Sequence, residues 1–389
     1  MTLAEFFSQH GATVVFYALV IIALVAYRKK FEWEGKVIAL RRTKFGIKFI
    51  NKWAVKQKER FKILGYTFIG VGFLGMLFIF GYVFYSLYQL FFVPTSPASF
   101  SVVLPGVHVP GSAVFIPLWV LIPLFFVVLI HESGHGLVAR ANGIKIKNTG
   151  LVFFGPLAGA FVEPDEKQLE KAPDHVKYSV FAAGPGINFL TAGIGIILLL
   201  IVLNPLVAVM TSPTGFTIGD VQDGYPAKEA GVYAGETFTS VNGIPVLTQE
   251  DLVKSLTCVS PGETVVLSNE NESVSVVSVA NPNDDSKGYL GVLGVKTDFD
   301  IKDSVPGWLY VIVNWFSQFV FWFVLLSIGL GAFNLLPLGP VDGGQMINLS
   351  LMRIHGKKKG KLIWARLGWF LLILILILIF TPMLKAILL

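Results

Sequence analysis

Two histidines and a glutamate stand together as His131-Glu132-Ser133-Gly134-His135. On an α-helix, residues four apart share one face, one turn above the other. Two imidazoles so placed can hold one zinc ion, and the glutamate beside the first can act as general base toward a water on that ion. Glu132 is also the sole formal charge between Ile63 and Ala139. Ionisable groups at the depth of a bilayer are costly and normally functional. The plainer alternative is a set of polar residues filling a bundle interior.

A catalytic zinc site needs three protein ligands and an open position. Asp342 is the candidate third ligand, the sole formal charge between Ser304 and Met352. It follows Asn334-Leu-Leu-Pro337-Leu-Gly-Pro340-Val, whose Gly and Pro break a helix. At membrane depth such a break is tolerated only inside protein or beside a water-filled cavity. The alternative is a solvated turn at the membrane surface. A further polar element is Gly184-Pro185-Gly186-Ile187-Asn188. Asn188 can donate to a substrate carbonyl or its oxyanion, or bond a neighbouring helix.

The elements that must position these groups are apolar spans. The chain has 389 residues, 54% hydrophobic, with a net charge of +6. About six stretches suit transmembrane helices: 12–27, 62–92, 114–139, 177–205, 307–332 and 362–384. The first lacks a preceding basic residue and a small-residue cleavage pattern, so it reads as a retained anchor. The second carries five glycines from Gly65 to Gly81 and is a candidate for a kink or break. Residues 28–62 hold 13 Lys/Arg against three glutamates. That bias reads as a cytoplasmic loop rather than a nucleic-acid patch, and it places both termini outside. The basic loop at Arg353–Lys361 is then inside, and 94–113 is an outer loop. Segment 148–164 is apolar but too short and broken to span, and reads as a small re-entrant β-hairpin.

Residues 206–306 differ in character, with 14 Asp/Glu and 5 Lys/Arg. They read as an outside domain of short strands, with a helix over 248–256 capped by Thr248 and a turn at Asn242-Gly243. The single cysteine, Cys258, rules out an internal disulfide. The resulting division is 1–113 for two N-terminal helices and the basic linker, 114–205 for the first half of a core, 206–303 for a β-rich domain, and 304–389 for the second half.

The His131-to-His135 motif, Gly184-Pro-Gly-Ile-Asn188, and Asn334-Leu-Leu-Pro337 with Asp342-Gly343 fall in order on three spans. In this the sequence resembles the site-2 protease family of intramembrane zinc metalloproteases. The resemblance covers roughly 114–360. It implies one zinc ion held by His131, His135 and Asp342, with Glu132 as base. It places Asn188 and Asn334 at or near the substrate and its oxyanion. Gly224-Tyr-Pro-Ala227 through Ser240-Val-Asn242-Gly243 resembles a PDZ domain, and such modules bind extended peptides. Within it, Lys287–Val292 reads either as the loop that receives a peptide end or as an ordinary final strand.

The expectation is thus an α-helical polytopic membrane protein with one inserted PDZ-like domain, hydrolysing peptide bonds of single-span membrane proteins in regulated intramembrane proteolysis. Its partners would be those substrates, a peptide ligand of the PDZ-like domain, and the lipid bilayer, with no nucleic acid. Compact loops and a lone cysteine favour a prokaryotic cell membrane, with the active site near the cytoplasmic side. The rival readings are a metal transporter, a non-catalytic PDZ-bearing scaffold, and a prenyl-protein-processing zinc protease, which would need a glutamate as third ligand.

Overall fold

The computed structural model describes residues 3–35, 38–93, 105–106, 115–154, 157–270, 272–282 and 284–388. Apart from 105–106, the expected outer loop at 94–113 lies outside the described residues, as does the hairpin tip at 155–156. Two units are formed, one from Met1–Leu199 with Gln318–Leu389, the other from Leu200–Ser317.

The first unit opens with helix α1 (Leu3–Ala26), strands β1 (Glu32–Glu34) and β2 (Ile38–Thr43), and helices α2 (Ile47–Lys56) and α3 (Lys58–Phe92). Next come α4 (Leu121–Ala141), β3 (Ile146–Phe154), β4 (Leu157–Pro164), α5 (Glu166–Lys171) and α6 (Asp174–Leu198). The glycine-rich second span is not broken: α3 is one helix of 35 residues. Three of its five glycines, Gly65, Gly72 and Gly75, serve close packing instead. A Cβ on Gly65 would lie 2.8 Å from Val138, and one on Gly72 would lie 3.3 Å from Ala182. Small residues at such crossings let membrane helices approach closely.

The expected hairpin is β3 paired with β4, but it is not alone. The basic linker folds onto it, and the sheet runs β1-β2-β3-β4, each neighbour antiparallel. β2 pairs with β3 from Ile38↔Phe154 to Thr43↔Thr149. Arg42 clasps the sheet across its strands, bonding Glu32 on β1 and, at 3.2 Å, Glu163 on β4. Asn148 donates to the same Glu163 carboxylate at 2.9 Å, and this bond first, with Arg42 second among the favourable contacts, holds its pKa below the usual glutamate range.

The second unit has helices α7 (Asn204–Met210), α8 (Pro226–Glu229) and α9 (Gln249–Thr257) among short strands. The Thr248 hydroxyl caps α9 by accepting from Asp251 N–H at 3.0 Å. Asn242 and Gly243 both take positive φ, 51° and 76°, and turn the chain between Ser240–Val241 and Ile244–Pro245. Paired positive φ of this kind matches the twist of a two-residue hairpin. Ser278 separates the strand Ser273–Val277 from the strand Val279–Asn281. Phe216, Ile218, Phe238, Leu267 and Leu290 are among the buried side chains of its core.

The first unit resumes at Gln318, within α10 (Gly307–Asn334), and continues through α11 (Asp342–His355) and α12 (Lys357–Leu388). Helix α10 stops at Asn334, and the Pro- and Gly-containing turn delivers Asp342 to the first residue of α11. Leu335 and Leu336 of that turn are buried with Ile79, Val83, Ile375 and Leu378, fixing it between α3 and α12. Lys58–Phe92, Leu118–Ala141, Asp174–Met210, Gly307–Asn334 and Lys357–Thr381 are long and apolar enough to cross a membrane. Of the sixth expected span, the described residues give a shorter apolar helix, Thr13–Ala26.

Candidate metal centre

The centre is assembled from three helices. α4 presents His131 and His135 on one face, α11 presents Asp342 at its N-terminus, and α6 lies behind both histidines. α4 and α6 meet closely because Gly134 and Gly184 carry no side chain. A Cβ on Gly134 would lie 2.8 Å from the Ala183 carbonyl oxygen. A Cβ on Gly184 would lie 2.3 Å from His135 Nε2 and 2.6 Å from His131 Nε2. No real Cβ tolerates such distances, so the space in front of both imidazoles exists only because residue 184 is glycine.

His135 Nδ1 lies 2.7 Å from the Val180 carbonyl, to which it donates. In the neutral ring this leaves Nε2 as a bare lone pair. That Nε2 is 3.2 Å from His131 Nε2 and 3.4 Å from Asp342 Oδ2. His131 Nε2 is in turn 3.2 Å from Asp342 Oδ2. Asp342 Oδ2 is buried and takes no hydrogen bond. Lone pairs crowded in this way repel one another unless a cation sits among them. Three donors bound to one tetrahedral zinc ion at about 2.0–2.2 Å lie about 3.3–3.6 Å apart. The observed edges of 3.2, 3.2 and 3.4 Å come within about 0.1 Å of that range, so the residues present fit a zinc ion. Among the described residues this trio is the one group of His, Cys, Asp or Glu whose ligand atoms converge so, all within 4.8 Å.

Glu132 sits on the same helix between the two histidines. Its Oε2 accepts the Val162 N–H of β4 at 3.1 Å, which ties the carboxylate to the sheet. Asn188 is fully buried behind the His131 ring, its amide 3.1 Å from Nδ1. The amide N–H of Asn334 donates to the Leu330 carbonyl at 2.9 Å, closing the last turn of α10.

Residues 119–375 match the sequence profile of peptidase family M50. The chain belongs to peptidase family M50. Five membrane-length apolar helices and this family make it a multi-pass membrane member of a family of zinc metalloproteases. It is similar to an uncharacterized protein of Methanocaldococcus jannaschii, 25% identical over 86% of this chain and 84% of that protein. It is similar also to the zinc metalloprotease RasP of Oceanobacillus iheyensis, 25% identical over 51% of this chain and 57% of RasP. A stretch of 77 residues is 36% identical to a DegP-like periplasmic serine endoprotease of Brucella suis, covering 19% of this chain and 15% of that protein.

Two features of this M50 centre escape a residue-type reading. Gly184 opens the Gly-Pro-Gly-Ile-Asn motif, but a search for ligands and donors passes over glycine. Helix α6 also clasps α11: Asp174 takes a two-pronged bond from Arg353 at 2.6 and 2.7 Å, and Tyr178 bonds Ser350 at 2.8 Å. One helix therefore fixes both the imidazole pair and the aspartate-bearing helix.

Proposed function

We propose that this M50 protein is a zinc endopeptidase that cuts single-span membrane proteins within or at the edge of the bilayer. The observation that carries the proposal is the convergence of His131, His135 and Asp342, drawn from two separate parts of the chain, with Glu132 beside them. His131, His135 and Asp342 are assigned as ligands of one ion. Zinc, when bound there, supplies a Lewis acid that activates water and polarises a carbonyl. Glu132 removes a proton from the attacking water and returns it to the leaving amide nitrogen as the C–N bond breaks. The Val162 N–H holds the carboxylate in place for both transfers. Asn188 is assigned to orienting His131 rather than to the oxyanion. A metal-binding Nε2 requires Nδ1–H; the Asn188 Nδ2 now faces Nδ1 at 3.1 Å, and turning that amide over makes its buried, unpartnered Oδ1 the acceptor. Nothing in the contacts of Asn334 supports a role on substrate, and we assign it to ending α10.

A substrate helix hides its carbonyls in its own hydrogen bonds, so it must unwind before cleavage. β4 offers a partner for the unwound segment. It is an edge strand, and Val162 turns its N–H away from β3 toward Glu132. By the two-residue period, Ala158 and Ala160 direct their backbone groups to the same side. An extended chain paired there lies next to Glu132. We read residues 206–303 as a PDZ-like module. Its segment 287–292 is two strands, Asp284–Tyr289 and Val292–Leu293, joined at buried Leu290 and at Gly291 with φ +84°. That turn supports a peptide-receiving loop over a single final strand. The basic 28–62 segment supports an orientation with the centre toward the cytoplasm.

The test is cleavage of a single-span substrate by the purified protein in vesicles, wild type against Glu132→Gln and Asp342→Ala, with metal analysis of each. Glu132→Gln is expected to keep its zinc and lose about 100- to 10,000-fold in rate, and Asp342→Ala to lose the ion. Cleavage by Glu132→Gln at the wild-type rate defeats the assignment. A zinc-loaded wild type that cuts nothing but carries metal across the vesicle favours the transporter.

A further inference from the structure

The basic linker holds a structural element that the metal centre does not use. After β2 the chain turns through Phe45 and forms α2, which ends at Lys56, two residues before α3 begins. Gln57 between them is non-helical, with φ −116° and ψ 33°, so α2 does not continue the spanning helix. One face of α2 is spent on the protein. Ile50 and Ala54 are buried, and Ile50 packs on α4 where a Cβ on Gly136 would lie 3.2 Å from it. Arg140 of α4 donates to Asn51 at 2.7 Å. The helix thus lies against the last turns of α4, at the end where that apolar helix stops.

The remaining surface is divided. Phe49 and Trp53 form an exposed stripe, 59% and 41% accessible, with ring centroids 6.0 Å apart. Phe45 extends it and is 90% exposed. Its backbone is nevertheless pinned, the carbonyl accepting from Thr149 at 2.5 Å and the N–H donating to Thr43 at 3.3 Å. A bulky apolar ring held open by a fixed backbone needs a cover. Beside the stripe run Lys48, Lys52 and Lys56, all exposed and without an acidic partner among the described residues. Aromatic and lysine rows on adjoining faces suit a helix lying flat at the bilayer surface, rings at the acyl boundary and ammonium groups among phosphates.

We propose that α2 is an in-plane helix that docks on the anionic lipid surface at the Lys58 end of α3. The occupant is a bilayer rather than a protein, because the helix is joined to one apolar spanning helix and packed on the end of another. Its position follows: seated on lipid, α2 braces Gly136, the residue after His135, and the sheet strand β2 that precedes it.

The test uses the full-length protein with Cys258 replaced by serine and single cysteines at 49, 52 or 53 carrying an environment-sensitive fluorophore. Each is reconstituted into phosphatidylcholine vesicles with or without phosphatidylglycerol. In anionic vesicles the labels at 49 and 53 are expected to be shielded from aqueous iodide and quenched by a lipid carrying a shallow nitroxide, while the label at 52 stays open to iodide. Neutralising Lys48, Lys52 and Lys56 to glutamine is expected to weaken the anionic-lipid preference by about fivefold per charge. Equal iodide access at 49 and 52 overturns the proposal. Shielding unaffected by lipid charge overturns it as well. Shielding that scales with the number of protein copies per vesicle shows a second copy on the stripe and also overturns it. None of these readings depends on proteolysis.

Discussion

Gly184→Ala is the most demanding test of the centre. One methyl is added to the interior of α6, where exchange of glycine for alanine ordinarily stabilises a helix by about 1 kcal/mol. Here the new carbon would stand 2.3 and 2.6 Å from the two Nε2 atoms. Contacts of that length force the rings to turn away, and the ligand lone pairs turn with them. The helix itself need not suffer, since imidazoles can rotate while α6 keeps its backbone bonds. The expected result is a folded protein that has lost its response to metal. At free zinc 100 times the dissociation constant, a single native-state site stabilises by about 2.7 kcal/mol. Wild type should show that gain over a chelator-treated sample in thermal unfolding, and Gly184→Ala should show about none, with no zinc by metal analysis. A variant that binds one zinc with wild-type affinity would refute the reasoning, because the methyl would then share space with the bound ion's ligands.

Asn188→Ala should weaken zinc binding by about 10- to 100-fold, the usual cost of losing a bond to a ligating imidazole. Asn188→Asp, which keeps an acceptor toward Nδ1–H, should restore much of it in a competitive chelator titration. If strand addition to β4 holds the substrate, Ala160→Pro removes one edge N–H, worth about 0.5–1.5 kcal/mol. KM should then rise by roughly 2- to 10-fold with zinc content unchanged, and an unchanged KM would remove β4 from substrate binding. Glu163 is held ionised below its ordinary range by Asn148 and Arg42. Its stabilisation of the sheet is therefore present above the unfolded-state pKa and lost as pH falls through the depressed folded value. The difference in melting temperature between wild type and Glu163→Gln should shrink from pH 7 to pH 3, and a constant difference would contradict the clasp.

What was legible in the sequence followed local periodicity. A run of apolar residues with a four-residue His spacing places both imidazoles on one face of one helix, and α4 carries them so. Gly and Pro after Asn334 mark a break, and α10 ends there. The Thr248 cap and the Asn242-Gly243 turn follow from short-range hydrogen bonding and positive φ. Legibility fails where distant segments meet. Strands β1 and β2 lie in a stretch dominated by charge, whose pairing with β3 is set across roughly a hundred residues. The glycines of α3 suggested a break because flexibility is a property of the residue itself. The use of Gly65, Gly72 and Gly75 in packing belongs to their neighbours. Gly184 escaped for the same reason, since its contribution is an absent atom. The meeting of Asp342 with His131 and His135 was expected from its isolated charge and from the resemblance between motifs, while the distances depend on packing between segments far apart in the chain.

The two parts of the centre are separated along the chain by the whole inserted unit. A ribosome that has just completed His135 must add roughly 200 residues before Asp342 appears. At about 5–20 residues per second this takes roughly 10–40 s. Through that interval the nascent protein carries two imidazoles and a base but cannot complete a ligand set. Synthesis order thus delays the centre: its ligand set cannot close inside the insertion machinery until the whole inserted unit has been made.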